Sequence, residues 1–465
     1  MSPTLHADRM VGLRDIGRCL DHLPVGPGHQ RVVIAVGLGL FFEVYEIFLS
    51  STIASALKTQ YGLGGAALQL LLASSFLGMF IGAAAFSRIA DRIGRRRAFL
   101  FNLVWFSVWS VIAAIAPNPW MLVGTRFMAG MGIGAEYPVA DAYLSEILPK
   151  AHRGRLAAWA YTCSFLAAPA LGFLSLSLNG RSPFGFEGWR ILLLVGAIGA
   201  LVVSVLRRGL PESPRWLAGV GRTEDARAAL RLFESGAGPA TGYAADNKGE
   251  DEVASASKPV QNVPALQRMR HSPYRQRLIM LALFHLFQPF GYYGFGTLAV
   301  LVLVSRGYDL TSSLLFTAVS FIGYPVGSLV SIPLLTRFER KYLIIVTVAI
   351  MAACGVLFAA VNVHTLIVVF GLLITASSNV FSNIYHVYQA EIFPSDVRAT
   401  AVGWTYSVSR LSSAALPFIL VPMLDNYGAT AMFAAVLVAL AATIAVIALI
   451  GPRTKGRSLD EINPT

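Results

Sequence analysis

The stretch YLSEILPKAHRGR (143–155) returns 245 residues further along the chain as YQAEIFPSDVRAT (388–400), with five identities in register. The same offset sets DRIGRRR (91–97) against TRFERKY (336–342) and preserves two arginines. One short match arises easily by chance, but matches in separate regions at one offset indicate an internal duplication. We therefore predict that the chain consists of two parallel halves.

The composition is that of a membrane protein. Of the 465 residues, 55% are hydrophobic and only 13% are charged, and the mean hydropathy of +0.62 is far too high for a soluble domain. The three cysteines, Cys19, Cys163 and Cys354, lie far apart and offer no disulfide or metal spacing. We expect no metal and no other cofactor. A membrane enzyme is disfavoured because no nucleophile and base stand at a catalytic spacing.

Twelve apolar stretches are long enough to cross a bilayer, which takes about 20 helical residues. Six of them precede a polar central segment and six follow it, so each half of the repeat has six predicted spans. The predicted spans are 31–57, 67–90, 98–117, 120–146, 156–178, 188–208, 277–304, 311–336, 341–361, 364–391, 398–424 and 428–450.

These spans divide the chain into five predicted regions. An N-terminal tail (1–30) precedes the first six-helix half (31–208), and a central loop (209–276) connects it to the second half. The second half (277–450) is followed by a C-terminal tail (451–465). Because the number of spans is even, both tails are expected on the same side of the membrane.

The central loop predicts a short helix followed by a flexible linker. RTEDARAALRLF (222–233) begins with the helix-capping residue Thr223, carries acids in its first turn and has apolar residues at helical spacing. GAGPATGYAADNKGEDEVASASKPVQNVP (236–264) has almost no large apolar side chains. A segment of that composition cannot bury enough apolar surface to fold on its own.

The basic residues predict the orientation. If the tails are cytoplasmic, the cytoplasmic loops and tails hold 31 of the 37 Lys and Arg, and the opposite loops hold four. Lys and Arg accumulate on the cytoplasmic side of membrane proteins. Both termini are therefore expected in the cytoplasm of a cell in whose inner membrane the protein lies. The net charge of +12 reflects this orientation, so it does not indicate nucleic-acid binding.

Several motifs together resemble the major facilitator superfamily over nearly the whole chain. SRIADRIGRRR (87–97) is similar to the family's loop between helices 2 and 3, and RFMAGMGIGAEYPVADAYLSEILPKAHRGR (126–155) to its fourth helix. PESPRWL (211–217) and YQAEIFPSDVRATAVGW (388–404) resemble two further cytoplasmic segments. GIGAEYPV and GYYGF (291–295) most resemble the synaptic-vesicle-protein-like branch, which includes nicotinate and aromatic-acid carriers and lies near the organic-ion carriers. The resemblance implies an all-α fold of twelve transmembrane helices in two six-helix halves.

Two acids in the first span are candidates for proton coupling. Glu46 lies ~22 Å from the cytoplasmic start of its helix, and Arg126 lies ~9 Å below the periplasmic edge in span 4. In a core of ~30 Å these depths coincide, and a buried acid and base at one depth are expected to pair. The resemblance implies that these two positions couple transport to protons, although a static pair is the alternative. Glu43 is a second proton site or a substrate ligand, and Glu136 is a proton relay or a charge that snorkels.

The second half supplies a basic wall. Arg410 lies ~18 Å along span 11, close to the membrane midplane, and no acid in spans 7, 8 or 10 is available at that depth. The repeat sets FFEVY (41–45) against LFQPF (286–290), which places Gln288 where the first half has Glu43. Polar residues at helical spacing face a watery cavity or bond a neighbouring helix. The other substrate-binding candidates are Tyr292, Tyr293, Asn379, Asn383 and Tyr406.

The charged loops on the cytoplasmic side predict a gate. Ion pairs there would hold that side closed and separate when the carrier faces inward, although the arginines alone can serve to set orientation. The predicted partners are Asp91 with Arg95, Glu146 with Arg153 and Arg155, and Glu391 with Arg398 and Arg337.

These observations favour a secondary transporter that carries a small organic anion together with protons. The apparently unpaired Arg410 indicates a carboxylate, the tyrosines a planar ring, and the resemblance makes nicotinate the best single candidate. Because of Glu43, an organic-cation carrier is an alternative. Because of the partial motif AAPALG (167–172), a drug–proton antiporter is another. A non-transporting receptor is a weaker alternative. We expect a monomer whose partners are substrate, protons and lipid.

Overall fold

The computed structural model describes residues 16–17, 19–150, 152–234, 271–393, 395–455 and 459–462. Within these ranges the side chains of some residues, among them Asp91 and Arg398, lie outside the description. The regular secondary structure in the described ranges consists of helices, and no strand occurs there. The protein is an all-α molecule, as the sequence predicts.

Local sequence signals start and stop the helices of the first half. Gly62 caps the C-terminus of α1, and its positive φ of 60° favours glycine at this position. At the start of α4, the Asn118 side chain accepts the N–H of Met121 at 2.9 Å, and Pro119 takes the first helical position. The helices are α1 (Pro27–Tyr61), α2 (Gly65–Ile93), α3 (Arg95–Ala114), α4 (Pro119–Gly134), α5 (Glu136–Ile147), α6 (Arg153–Phe165), α7 (Ala167–Leu178) and α8 (Gly188–Arg207).

The central loop and the second half continue this pattern. The helix predicted over 222–233 is present as α10, whereas the predicted linker over 236–264 lies outside the described residues. Asp309 caps α12 by accepting the N–H of Ser312 at 2.9 Å. The helices are α9 (Pro214–Gly219), α10 (Thr223–Glu234), α11 (Tyr274–Ser305), α12 (Leu310–Phe321), α13 (Gly323–Arg337), α14 (Arg340–Ala360), α15 (His364–Glu391), α16 (Ser395–Ile450) and α17 (Leu459–Ile462).

The twelve predicted spans correspond to these helices with two differences. Ten runs in the described chain are long and apolar enough to cross a membrane. The predicted span 120–146 is divided at Ala135 into α4 and α5 and is not among these ten runs. The predicted spans 398–424 and 428–450 are two helical segments of α16 that meet at non-helical backbone at Gly428, with a φ of 80°, and they are counted together as one run. The fold is therefore of the twelve-helix type.

Glycines allow helices of one half to approach closely. A Cβ atom on Gly78 of α2 would lie 2.0 Å from the carbonyl oxygen of Phe127 in α4. In the second half a Cβ on Gly327 of α13 would lie 2.1 Å from the carbonyl oxygen of Ala376 in α15. In lipid the hydrophobic effect does not drive helices together, so close van der Waals packing at small residues contributes to their association instead. Both halves thus contain one helix pair in backbone contact.

The surface is consistent with a lipid environment. Large apolar side chains are exposed on the outside of the bundle, for example Ile198, Leu206, Val346 and Leu449. Charged and polar side chains, in contrast, are buried inside it. This arrangement is the reverse of that in a soluble protein and is typical of a bundle of helices surrounded by lipid.

The halves touch mainly on one side of the molecule. We call the side where α1 begins the inner side and the opposite one the outer side. On the outer side Lys58 pairs with Asp425 at 3.2 Å, and Asn179 donates to Thr311 at 2.9 Å, so both contacts join the two halves. Helices α1, α2, α6 and α7 of the first half pack on α11, α16, α13 and α12 of the second.

Aromatic rings close the interface at mid-depth. Phe48 of α1 packs on Phe321 and Tyr324 of the second half, with ring centroids 5.3 and 5.2 Å apart, and Phe165 stacks on Tyr324 at 6.0 Å. On the inner side the ion pairs among described side chains stay within one half. Asp141, deep in the inner half of the bundle, is nevertheless exposed. An exposed carboxylate at this depth indicates a cavity on the inner side of the molecule.

Candidate functional site

A fully buried ion pair joins α1 to α4. Arg126 of α4 contacts the Glu46 carboxylate through Nη1, and its Nη2 donates to the Glu46 carbonyl and to the Ser50 hydroxyl, each at 2.8 Å. The hydroxyl of Ser110 donates to the second Glu46 oxygen at 3.2 Å. The pair that the depth argument predicts is thus present, while its role in proton coupling stays a prediction.

The surroundings of this pair explain why it is stable without water. Neither side chain has exposed surface, so an unpaired charge at either position would be costly. Gly196 of α8 makes room for it, because a Cβ there would lie 2.8 Å from a Glu46 carboxylate oxygen. Protonation of Glu46 would remove the attraction but leave Arg126 its contacts with Ser50 and a carbonyl. The site is therefore built so that one proton changes the interaction between two helices.

Glu43 lies one turn before Glu46 and has a different environment. Its side chain is 2% exposed, and neither carboxylate oxygen has a hydrogen-bond partner among the described atoms. It lies within Coulombic range of Arg410 and Asp141 but forms no ion pair with any described residue. A buried carboxyl group without partners is stable only when it is neutral or when a ligand pairs with it. Both alternatives for Glu43, a proton site and a substrate ligand, remain open.

Arg410 of α16 is the corresponding basic group of the second half. It is 2% exposed, and its Nη1 and Nη2 donate to the hydroxyls of Tyr293 and Tyr406 at 2.9 and 3.1 Å. Its guanidinium also lies 5.1 Å from the centroid of the Tyr406 ring. These partners are neutral, and no described acid forms an ion pair with Arg410. Among the described residues, Arg410 therefore has hydroxyl partners and no acidic partner.

The tyrosines predicted to bind substrate lie next to this arginine. The rings of Tyr292 and Tyr293 meet edge to face at 4.7 Å, and Tyr293 also contacts Phe76 of α2 at 5.1 Å. Gln288, one turn earlier on α11, is buried, and its side-chain oxygen has no partner among the described atoms. Tyr293 therefore links Arg410 to the first half of the molecule.

The two asparagines predicted to bind substrate form hydrogen bonds between helices. Asn379 donates to the carbonyl of Tyr324 at 2.6 Å, and Asn383 donates to the hydroxyls of Ser328 and Ser331 at 3.1 and 2.8 Å. These bonds connect α15 to α13 and occupy the amide N–H groups. The geometry thus favours interhelical hydrogen bonding over substrate contact for both residues, because helix packing has already engaged their donors.

Glu136 forms a second buried ion pair that the sequence analysis missed. It contacts Arg207 at the end of α8 at 2.6 Å, and both side chains are almost completely buried. Of the two alternatives for Glu136, a proton relay and a snorkelling charge, the buried pair disfavours the second, because α8 presents a cation to Glu136 inside the protein. Arg207 also donates to the carbonyls of Ala35 and Val36 on α1 at 3.0 and 3.1 Å. Its position at the end of an apolar run made it resemble an ordinary cytoplasmic charge.

The charged loops form two ion pairs that the sequence analysis did not predict. Arg95 contacts Glu146 at 3.0 Å, and Arg340 contacts Glu391 at 3.1 Å. These pairs are equivalent under the 245-residue repeat, so each half has the same ion pair on its inner side.

The predicted pair of Glu146 with Arg153 is wrong. Arg153 instead contacts Asp21 at 2.9 Å, and Asp21 also contacts Arg215 at 2.7 Å. The N-terminal segment supplies a carboxylate that a reading of loop motifs could not foresee. The side chains of Asp91 and Arg398 lie outside the description, so their predicted contacts stay predictions.

A third unpredicted feature is Asp141 of α5. It is exposed within the predicted span 120–146 and accepts a hydrogen bond from the hydroxyl of Tyr161 on α6. The rings of Tyr137 and Tyr161 are stacked beside it, with centroids 6.0 Å apart and planes at 16°. The available signal was the same as for Glu43 and Glu46, namely an acid inside an apolar span. The cavity wall of the first half is therefore acidic and aromatic.

Comparison with known proteins identifies the type of molecule. The family described as Sugar (and other) transporter matches residues 32–465. The niacin transporter NiaP of Acinetobacter baylyi is 27% identical over 449 residues, which cover 96% of this chain and 99% of the relative. The gentisate transporter of Corynebacterium glutamicum is 27% identical over 395 residues, which cover 83% of this chain and 80% of the relative.

Solved structures show the same fold. A structure of the xylose transporter XylE from E. coli superposes with a TM-score of 0.71 at 20% identity and covers 92% of this chain and 99% of its own. At that identity the likeness concerns the arrangement of the helices only.

Proposed function

Because this chain belongs to the Sugar (and other) transporter family of the major facilitator superfamily, we propose that it carries a small organic anion by proton-coupled symport. It is a multi-pass membrane transporter and not an enzyme. The proposal concerns the substrate class, the coupling and the residues responsible. The observation that carries it is the buried Arg410, whose described partners are neutral hydroxyls.

Arg410 is suited to bind a carboxylate. A guanidinium can donate two parallel hydrogen bonds to a carboxylate, and charge-assisted bonds of this kind are stronger than those to a hydroxyl. Each is worth about 1.5–3 kcal/mol. The hydroxyls of Tyr293 and Tyr406 can donate to the same carboxylate once it replaces them as acceptor. We propose that these three side chains form the anion-binding group.

The neighbouring rings support a planar substrate. Tyr292, Tyr293 and Phe76 provide apolar faces and edges next to the proposed carboxylate position. The names of the two relatives, niacin transporter and gentisate transporter, both denote aromatic carboxylic acids. An aromatic monocarboxylate fits this site, and nicotinate is our best single candidate.

The Glu46–Arg126 pair supports the coupling. A proton on Glu46 removes the charge attraction to Arg126, and the weakened contact between α1 and α4 changes the relative stability of the two conformations of the carrier. One proton carried with one monocarboxylate gives a loaded carrier with no added charge, which limits the cost of burying the substrate. The proton therefore supplies both the driving force and the charge balance.

Alternating access completes the proposed cycle. We propose that the predicted halves, 31–208 and 277–450, rock about the central site. In the described state the outer side is closed by the contact of Lys58 with Asp425 and by the ring cluster around Tyr324. Both termini are proposed to be cytoplasmic, so the open inner side would release substrate into the cell.

The test is uptake into proteoliposomes with an imposed pH gradient. Nicotinate and benzoate are expected to compete with labelled substrate, whereas nicotinamide, which lacks the carboxylate, and tetramethylammonium are not. Arg410→Gln is expected to abolish competition by the acids, and Arg181→Gln, at an exposed position, to leave it unchanged. If Arg410→Gln binds the acids like the unmodified protein, Arg410 is not the ligand and the proposed site is wrong.

An organic cation is the second candidate, and the unpartnered Glu43 favours it. In that case Glu43 would be the substrate ligand and Arg410 a structural residue. Competition by the ammonium but not by the acids would establish this alternative. Glu43→Gln would then abolish transport, whereas an anion carrier with Glu43 as a second proton site would still bind substrate.

A further inference from the structure

The acidic and aromatic wall around Asp141 is not used by the proposed anion site. Asp141 stands six residues before the inner end of α5 at Ile147, which is ~9 Å from that end. Its carboxylate is exposed to the cavity, and its described partner is the hydroxyl of Tyr161. A carboxylate retained at that depth in an apolar span faces water or a ligand.

Its surroundings have the chemistry of a cation site. The stacked rings of Tyr137 and Tyr161 lie beside the carboxylate. An aromatic face attracts cations through its quadrupole, and a nearby carboxylate adds a full opposite charge. A simple anion would instead be repelled by Asp141 as it passes.

The acid shares one cavity with the anion-binding group. Tyr137 lies within Coulombic range of Glu43, Tyr292 and Tyr406, and Asp141 within range of Glu43 and Tyr406. Glu43 is itself 98% buried, and neither of its carboxylate oxygens has a described hydrogen-bond partner. Tyr406 in turn contacts Arg410. A ligand near Tyr406 thus has a cation on one side and carboxylates on the other.

The charges of the cavity point to a dipolar ligand. Glu46 with Arg126 and Glu136 with Arg207 neutralise each other within the first half. Arg410, Glu43 and Asp141 form no such pairs with described residues. A monocarboxylate compensates Arg410 but not Asp141. A zwitterion compensates both, and Glu43, which has no described partner, then needs no further cation if its carboxyl group is neutral.

We propose that Asp141, Tyr137 and Tyr161 form a subsite for a positively charged nitrogen, so that the carrier selects carboxylates that also carry a cationic nitrogen. Pyridinium carboxylates and other aromatic betaines belong to this class. The inference rests on the proposed function, because Arg410 is taken to hold the carboxylate. Asp141 acts in it as a specificity-determining residue.

Three ligands that share a pyridine ring with a carbonyl group at position 3 test the proposal. N-methylpyridinium-3-carboxylate is a zwitterion, nicotinate at pH 7 is an anion, and N-methylpyridinium-3-carboxamide is a cation. Their affinities are measured by calorimetry on the full-length protein in nanodiscs. The zwitterion is expected to bind about tenfold more tightly than nicotinate. Asp141→Asn is expected to remove this preference without weakening nicotinate, whereas Asp225→Asn, at an exposed position of α10, is expected to retain it.

A second variant keeps the test independent of Asp141 itself. Tyr137→Leu removes one ring and is expected to reduce the preference for the zwitterion, whereas Tyr161→Phe keeps the ring and is expected to retain most of it. A zwitterion preference that persists in Asp141→Asn, or its absence from the unmodified protein, would overturn the cation subsite. In that result nicotinate still binds through Arg410 and the proposed anion transport stands. Binding of the cation alone would instead refute the anion function and this inference with it.

Discussion

Replacing Glu46 by glutamine separates proton coupling from substrate movement. Glutamine has nearly the shape of glutamate but cannot bind and release a proton near neutral pH. Arg126 keeps its 2.8 Å contacts with Ser50 and with the carbonyl of residue 46, so the local packing is expected to survive. The carrier would then behave as if it were permanently in its protonated form.

The expected effect on accumulation follows from the energy of the gradient. One pH unit corresponds to about 1.36 kcal/mol per proton, which supports about tenfold accumulation of a substrate that moves with one proton. Because the anion and the proton move together, this ratio does not depend on membrane potential. Glu46→Gln is expected to reach a ratio of about one under the same gradient, while exchange of labelled for unlabelled substrate continues.

The variant also has a cost in stability. Removing one partner of a buried ion pair lowers the free energy of unfolding by about 3–5 kcal/mol. In Glu46→Gln the amide stays polar and Arg126 keeps two contacts, so we expect a loss of about 3 kcal/mol or less. For a half of this size the melting temperature should fall by roughly 10 °C or less. The fall can be followed by thermal unfolding in detergent, so a folded, uncoupled carrier is distinguishable from an unfolded one.

The assay is uptake into proteoliposomes at a fixed inside-alkaline gradient, with the membrane potential clamped to zero. The control is Glu224→Gln, which removes an exposed acid on α10 and should accumulate substrate like the unmodified protein. If Glu46→Gln accumulates substrate tenfold, Glu46 does not couple transport to the proton. The ion pair with Arg126 would then be a static element of helix packing.

Three further predictions concern packing and gating. Gly78→Ala places a Cβ 2.0 Å from a carbonyl oxygen of α4 and should lower the melting temperature by several degrees, whereas Gly124→Ala, which meets open space, should not. Arg340→Gln breaks the pair with Glu391 and should increase labelling of cysteines in the inner half of the cavity; unchanged labelling would exclude a gate. Lys58→Cys and Asp425→Cys, joined by a bifunctional thiol reagent that spans the gap left by the shorter side chains, should stop transport, and continued transport in the joined form would refute outer-side opening.

The class of molecule and its central ion pair could be predicted from the sequence. Hydropathy and length define spans, because each span must satisfy its backbone internally over a fixed bilayer thickness. Depth follows from position, because a helix rises by a constant amount per residue. Glu46 and Arg126 share a depth and little else is charged there, so their pairing needed no knowledge of the packing.

Other ion pairs could not be predicted, because they depend on how each helix is rotated about its own axis. Glu146 has several arginines within reach of its loop, and only the packing of α3 selects Arg95 over Arg153. The partner of Arg153, Asp21, comes from a segment more than a hundred residues away in the chain. Loop motifs state which residues are available, but the rotation of neighbouring helices decides which of them meet.

The same reason separates the residues that face the cavity from those that do not. Sequence alone determined that Asn383 and Arg410 are polar groups at mid-depth in apolar helices. Only the tertiary structure decided that Asn383 bonds the serines of α13, that Arg410 meets neutral tyrosines and that Asp141 opens to the cavity. The position of a residue along a helix fixes its depth, whereas its direction around the helix axis becomes meaningful only when the neighbouring helices are in place.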